Sequence, residues 1–230
     1  MKEISEQFNL IEEHLYTIGL PSRDVVYSEV DITKIEEKYN ISFPEIYKLF
    51  VLKYGNSKFE QEVIYKSLEL SPCTDKNGFN AFDSFFGFDG GLDDVSHKIN
   101  QYYERIPSSL IPIADDGKGN LICIGVKDGF NEKIYFWYHE NELIANVMLN
   151  EKKYGNIGLD DYWENVFLVS DSFVDFIRSF EIEPVEEGQK VELKIVKERM
   201  NTDFIANMLA ARAELEAKEK ERKDKKNGKG

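Results

Sequence analysis

Apolar residues recur at Ile4, Phe8, Ile11, Leu15 and Ile18, in alternating steps of four and three. That spacing lines one helical face, so the pattern predicts a helix over residues 3–18, stopped by Gly19 and Pro21. A second helix is expected to start at Asp31, a good N-cap, with Ile32, Ile35 and Tyr39 on one side. The segment ISFPEIYKLFVLKYGN, residues 41–56, is better punctuated. Pro44 fits a first helical turn, where its missing N–H is no loss. Ile46, Leu49, Phe50 and Tyr54 make the apolar face, and Gly55 with Asn56 is expected to supply a left-handed stop.

The pattern then changes. Val63, Ile64 and Tyr65 mark one strand, or two, within residues 59–70. Residues 79–91, FNAFDSFFGFDGG, are dense in phenylalanine and glycine. A helix is predicted over 92–106, with Val95, Ile99, Tyr102 or Tyr103, and Ile106 facing inward and Pro107 closing it. Strands follow at 110–114, 120–126 and 134–139. Their linkers, DDGKGN and KDGFNE, have the Asp-Gly and Gly-Asn chemistry of hairpin turns. Residues 143–149, LIANVML, read as a strand or a helix. Residues 170–180 read as a helix with Phe173, Phe176, Ile177 and Phe180 inward.

These elements predict an α+β fold: a mostly antiparallel central sheet with helices packed against it, an N-terminal helix and a C-terminal helical extension. Residues 181–190 read as a linker, Val191, Leu193 and Ile195 as a short strand, and Phe204, Met208, Ala211 and Leu215 as the face of a last helix before a charged tail. The expected organisation is a domain over 1–180 and an appendage over 181–230.

The chain has 230 residues and a net charge of -14. The charge is uneven. Residues 211–230 hold eight Lys/Arg against five Asp/Glu, whereas the first 210 residues hold 21 against 38. Such an acidic core argues against nucleic acid or an anionic membrane as partner, since both are polyanions. Two cysteines, Cys73 and Cys123, do not make a disulfide scaffold, and His14, His97 and His139 lie too far apart in sequence for a zinc pattern. The opening MKEISEQFNLIEEHL is acidic and amphipathic, unlike a signal peptide, and no apolar run reaches 18 residues. A cytoplasmic protein is expected.

Few motifs suggest chemistry. The acidic doublets Asp93/Asp94, Asp115/Asp116 and Asp160/Asp161 have the residue type for acid–base work, but acids are ordinary at turns and helix starts. Neither Asp-Gly turn continues into the alternating ligands of a calcium loop. Phe88-Asp89-Gly90-Gly91 precedes a helix but lacks a phosphate-loop pattern, and Asp93 and Asp94 would repel phosphate. Cys123 and His139 fall on neighbouring predicted strands, so a Cys–His hydrolase pair is conceivable; LICIGV reads instead as buried strand. Phe79, Phe82, Phe85, Phe86 and Phe88 crowd ten residues, which suits either core packing or an exposed aromatic patch.

The ordered set of residues 28–180 resembles the SUKH superfamily, which includes a yeast regulator of cell-wall glucan synthesis and many bacterial immunity proteins. The resemblance rests on the Pro44 helix with its Gly55 stop, Ile111-Pro112-Ile113-Ala114, Gly119-Asn120, Trp137-Tyr138-His139-Glu140, and Ser172-Phe173 with Phe176. It implies an α+β binding protein with no catalytic residues, cofactor or metal. Its bacterial members typically neutralise polymorphic toxins, often nucleases or deaminases. The expected partner is therefore a cognate toxin with a basic surface, met by a monomer or weak homodimer. The candidate contacts are Phe88, Asp89, Asp93 and Asp94, then Asp115 and Asp116, then Trp137, His139 and Glu140. The alternative is a non-enzymatic interaction module in cell-wall synthesis or signalling regulation.

Overall fold

Helix α1 (Lys2–Thr17) buries the expected face, with Phe8, Ile11 and Leu15 inward and Leu10 and Tyr16 in water. The structure is a computed structural model that describes residues 2–20, 27–127 and 129–184. The chain divides into two compact units, Met1–Pro184 and Val185–Gly230. The expected late strand, last helix and tail lie outside the described residues, as does Pro21.

Helix α2 (Glu29–Tyr39) has its cap three residues before the expected one. Ser28 is the N-cap, and its N–H and hydroxyl both donate to the Asp31 carboxylate, at 3.3 and 2.8 Å. Asp31 is thus the returning acid of a capping box rather than the cap itself. The Ser28 hydroxyl and Lys34 hold its carboxyl below the usual range. Helix α3 (Glu45–Tyr54) follows Pro44 and buries Ile46, Tyr47, Phe50, Val51 and Tyr54.

The stop after α3 also corrects the sequence reading. Gly55 has φ -57, and Asn56 takes the left-handed position at φ 56. Gly55 is required for a different reason. A Cβ there would sit 2.7 Å from the Tyr27 ring, 2.8 Å from Val51 O and 3.1 Å from Gly87 Cα.

Seven strands form one sheet among the described residues: β1 (Lys58–Lys66), β2 (Phe79–Phe85), β3 (Leu110–Asp115), β4 (Leu121–Gly125), β5 (Ile134–Trp137), β6 (Val166–Ser170) and β7 (Phe180–Ile182). Their order is β6-β5-β4-β3-β2-β1-β7, and every named pair is antiparallel. The three expected central strands are present and buried on both faces. The additions are at the flanks. The phenylalanine-rich segment is β2. The helix expected over 170–180 shrinks to α7 (Phe173–Arg178), capped by the Ser172 hydroxyl and set between β6 and β7. β7 begins at Phe180, so a boundary at 180 would cut a strand. Helix α4 is Val95–Gln101 only, and LIANVML is helix α5 (Leu143–Leu149), followed by one turn of α6 (Glu151–Tyr154).

Four of the five clustered phenylalanines are buried: Phe82, Phe85, Phe86 and Phe88. The sheet is covered on both sides, which is how neighbours in sequence can all point into core. Phe82 and Phe85 pack 4.6 Å apart on one side, Phe85 against Phe50 of α3 and Phe82 against Phe180. Phe86 lies under the Lys98 ammonium of α4, and Phe88 meets Tyr27 and Phe43 edge-on.

The sheet curls until its ends meet other chain. Just past β1, Leu68 N–H donates to Val169 O and Glu69 N–H to Leu168 O of β6; the Glu69 carboxylate accepts from Leu168 N–H at 2.7 Å. At the opposite edge, His14 Nε2 of α1 donates to the Phe180 carbonyl of β7 at 3.1 Å. Both outer strands therefore have backbone groups covered by side chains.

Gly55→Ala should lower stability by about 2–3 kcal/mol, because the new methyl meets backbone on two sides. Urea unfolding followed by tryptophan fluorescence measures this; an unchanged midpoint would show that the α3–Gly87 approach can relax freely.

Candidate functional site

Three segments suggested separately by the sequence lie at the ends of strands β2 to β5, inside the strand order, and form an acidic edge of the molecule rather than an edge strand of the sheet. The first is the loop between β2 and α4. Gly87 N–H donates to Asp93 O, and Val95 N–H returns to Gly87 O. Asp94 accepts from the N–H groups of Gly90, Ser96 and His97, at 2.9, 2.8 and 3.2 Å. It is buried and caps α4. Asp89 accepts from Asn56 Nδ2 and Gly91 N–H and faces solvent. Asp93 also faces solvent, paired with Lys98 at 2.9 Å.

The second segment is the β3–β4 turn. Strand register places Asp115 opposite Ser84, next to Asp83 of β2. Burial pushes the Asp115 carboxyl up, and the Asp83 and Asp93 carboxylates add to this against the Gly117 N–H and Lys98. Lys58 pairs with Asp83 at the same edge. The result is a ridge of Asp83, Asp93 and Asp115 held together by two lysines.

The third segment joins the turn through Asn120. Buried Asp116 accepts from Lys118 N–H, Asn120 N–H and Asn120 Nδ2, at 2.9, 3.1 and 2.7 Å. This orients the Asn120 amide, so its Oδ1 faces His139 and accepts from both the backbone N–H at 3.1 Å and Nδ1 at 2.8 Å. Nδ1 is therefore the donor in the ring's bond to Asn120. Asn120 Nδ2 also reaches Cys73 Sγ at 3.5 Å. Glu140 faces solvent and accepts from the Tyr138 hydroxyl, which that bond pushes up to about 12.

The expected contact list divides on burial. Phe88, Asp94, Asp116 and Trp137 are buried and serve the fold, which corrects their reading as exposed contacts. Trp137 closes β5 against Tyr102 and the Arg105 guanidinium. Asp89, Asp93, Asp115, His139 and Glu140 remain accessible; Asp93 approaches the β3–β4 turn at Asp115, His139 joins it through Asn120, and Asp89 sits against Asn56. Sequence reasoning missed Asp83, Lys98 and Asn120. Asp83 is hidden among phenylalanines, and only the β2–β3 register shows it beside Asp115. Cys123 is wholly buried in β4 with its thiol pushed up by burial, and the His139 ring bonds to Asn120 instead. That geometry gives no support to a Cys–His pair.

A cleft of about 550 Å³ lies elsewhere, lined by Ile41, Ile99, Tyr102, Leu110 and Asp160 among others. Its Asp160 carboxylate accepts from Ser108 N–H and Oγ, and Lys127 donates to Ser108, so these polar groups are engaged with one another. Among the described residues, no cluster of His, Cys, Asp and Glu could hold a metal, and no helix is long and apolar enough to cross a membrane.

With this geometry in place, the comparison with known families is decisive. The SMI1 / KNR4 family (SUKH-1) matches residues 27–179. The chain belongs to that family. The SUKH-1 span takes in all three segments of the acidic edge. It leaves out α1 and β7, the two elements joined by the His14–Phe180 bond, so this protein extends the SUKH-1 core at both ends with parts that touch each other. The chain is also 28% identical over 195 residues to the SPbeta prophage-derived uncharacterized protein YokK of Bacillus subtilis (strain 168), covering 80% of this chain and 91% of that protein.

Two substitutions test the reading of the edge. Asn120→Ala should cost about 1–3 kcal/mol, since it strips the buried Asp116 carboxylate of a partner. Asp115→Asn should act in the opposite direction. A carboxyl raised on folding binds its proton more readily in the native state. Its burden on stability is therefore present at pH 7 and lifts as pH falls through the raised value toward the unfolded one. The variant should match or exceed wild type at pH 7, by roughly 0.5 kcal/mol, with the difference closing toward pH 4. Urea titrations at both pH values measure this; a variant clearly less stable at pH 7 contradicts the assignment.

Proposed function

We propose that this SUKH-1 protein is an immunity protein that binds and neutralises a cognate toxin, a nuclease or other nucleic-acid-directed enzyme, in the cytoplasm. The observation that carries the reading is the gathering of acids from three chain segments on one edge. Residues 1–184 hold 17 Lys/Arg against 33 Asp/Glu, so this edge sits within a broadly negative surface. A nuclease cleft is lined with cations that hold phosphates. Carboxylates at a similar spacing can occupy the cleft, and long-range attraction speeds the encounter. The prophage origin of a relative fits a gene carried with mobile elements. The protein itself performs no chemistry in this reading; it acts by occupying the toxin.

Charge-driven encounter has a defined salt signature. The association rate should fall steeply with ionic strength while dissociation changes little. Asp93→Asn with Asp115→Asn should slow association about tenfold at low salt. The direct assay is co-expression with the toxin encoded beside this gene, together with binding kinetics from 50 to 500 mM salt. Unchanged killing and no complex at low salt would refute the reading and favour an interaction module in cell-wall or signalling regulation.

A further inference from the structure

Helix α5 is almost wholly apolar in sequence, LIANVML, yet it buries none of its residues. Ile144, Met148 and Leu149 are 56%, 80% and 85% exposed. Positions 144 and 148 are one helical turn apart, so these side chains share a face, with Ala145 beside them. The helix is nevertheless held firmly on its polar side. Asn146 Nδ2 donates to Asn141 Oδ1, Glu142 O and the Tyr162 hydroxyl, at 2.9, 3.1 and 2.8 Å, and Tyr162 in turn donates to Asn141 O. Glu142, at its N-cap, forms a two-toothed pair with Arg105. A helix so anchored presents its apolar face in a fixed orientation.

The helix that carries that face follows directly in the chain from the third segment of the acidic edge. Residues 139–141 form the turn that leads into α5, with His139 tied to Asn120 of the β3–β4 turn and Glu140 in solvent. An apolar centre flanked by charged groups is the usual anatomy of a protein interface. We propose that Ile144, Met148 and Leu149 are the apolar anchor for the basic protein that the acidic edge attracts. The inference rests on the immunity reading and adds the element that sets the lifetime of the complex. Charge decides the occupant: a second copy of this chain, itself at -14, would be repelled, whereas a cationic partner gains from the same rim. Met148 adds a side chain that adapts its shape to an irregular pocket.

The test uses the full chain, the toxin encoded by the adjacent gene, and the double variant Met148→Ser/Leu149→Ser. Both side chains are outside the core, so the urea midpoint should hold. Dissociation should quicken at least tenfold while the salt dependence of association stays as in wild type, the reverse of the Asp93/Asp115 variant. Unchanged dissociation beside a tight wild-type complex overturns the inference and leaves the immunity reading intact. No complex with wild type overturns the reading and the inference with it. Sedimentation of the chain alone should show a monomer; a dimer dispersed by the double variant would put a second copy on this face and overturn the inference. Amide exchange at residues 143–149 should slow only when toxin is bound; equal protection in the free chain would mean that the chain covers the face itself, with the same consequence.

Discussion

The packing around one ring, Phe180, decides how this sheet closes. Phe180 begins β7 and touches Phe59 and Tyr65 of β1, Phe82 and Phe85 of β2, and Phe176 of α7. Its carbonyl accepts from His14 of α1. Three elements distant in sequence, β1, β2 and α1, therefore meet at this one residue, and loss of its phenyl group costs about 3–5 kcal/mol in comparable cores. The register of β2 follows from this packing. With Phe82 and Phe85 turned inward, Asp83 is left on the accessible side next to Asp115. The acidic edge is thus a consequence of how the aromatic core is filled.

The core accepts polar imperfection to achieve this. Among the described residues, the buried hydroxyls of Tyr47 and Tyr65 and the Trp137 indole N–H have no hydrogen-bond partner. Each is on a ring packed edge-on against another: Tyr47 on Phe173, Tyr65 on Phe176 and Trp137 on Tyr102. Each edge-on pair returns about 0.5–1.5 kcal/mol, which offsets part of the roughly 1–3 kcal/mol that an unsatisfied buried polar group costs.

Much of the fold was legible in the sequence because its signals are local. Helical spacing gave α1 and α3, and the Asp-Gly turns gave the β3–β4–β5 meander. The failures share a cause. β2 and β7 lie where aromatic residues satisfy helix and strand patterns equally, β6 is a short apolar run of five residues, and only pairing partners far along the chain decide such segments. The same holds for Gly55. The need for glycine was visible, but the reason, close approach to Tyr27 and Gly87, lies in residues remote in sequence. At the site, accessible Asp89, Asp93, Asp115, His139 and Glu140 were chosen by type and position. Buried Phe88, Asp94, Asp116 and Trp137 were chosen by the same criteria, because sequence proximity does not distinguish a cap or a core ring from a surface group.

The covered strand edges have a further consequence. Glu69 occupies the Leu168 N–H on β6, and His14 occupies the Phe180 carbonyl on β7. Backbone recognition by an added strand, which reads main chain and tolerates many sequences, is discouraged at these positions. On the proposed reading, recognition would fall to surface side chains such as Asp93, Glu140 and Met148, none of which holds the core together. Those residues are free to drift as a partner drifts, so specificity can be rewritten over generations while the scaffold stays the same.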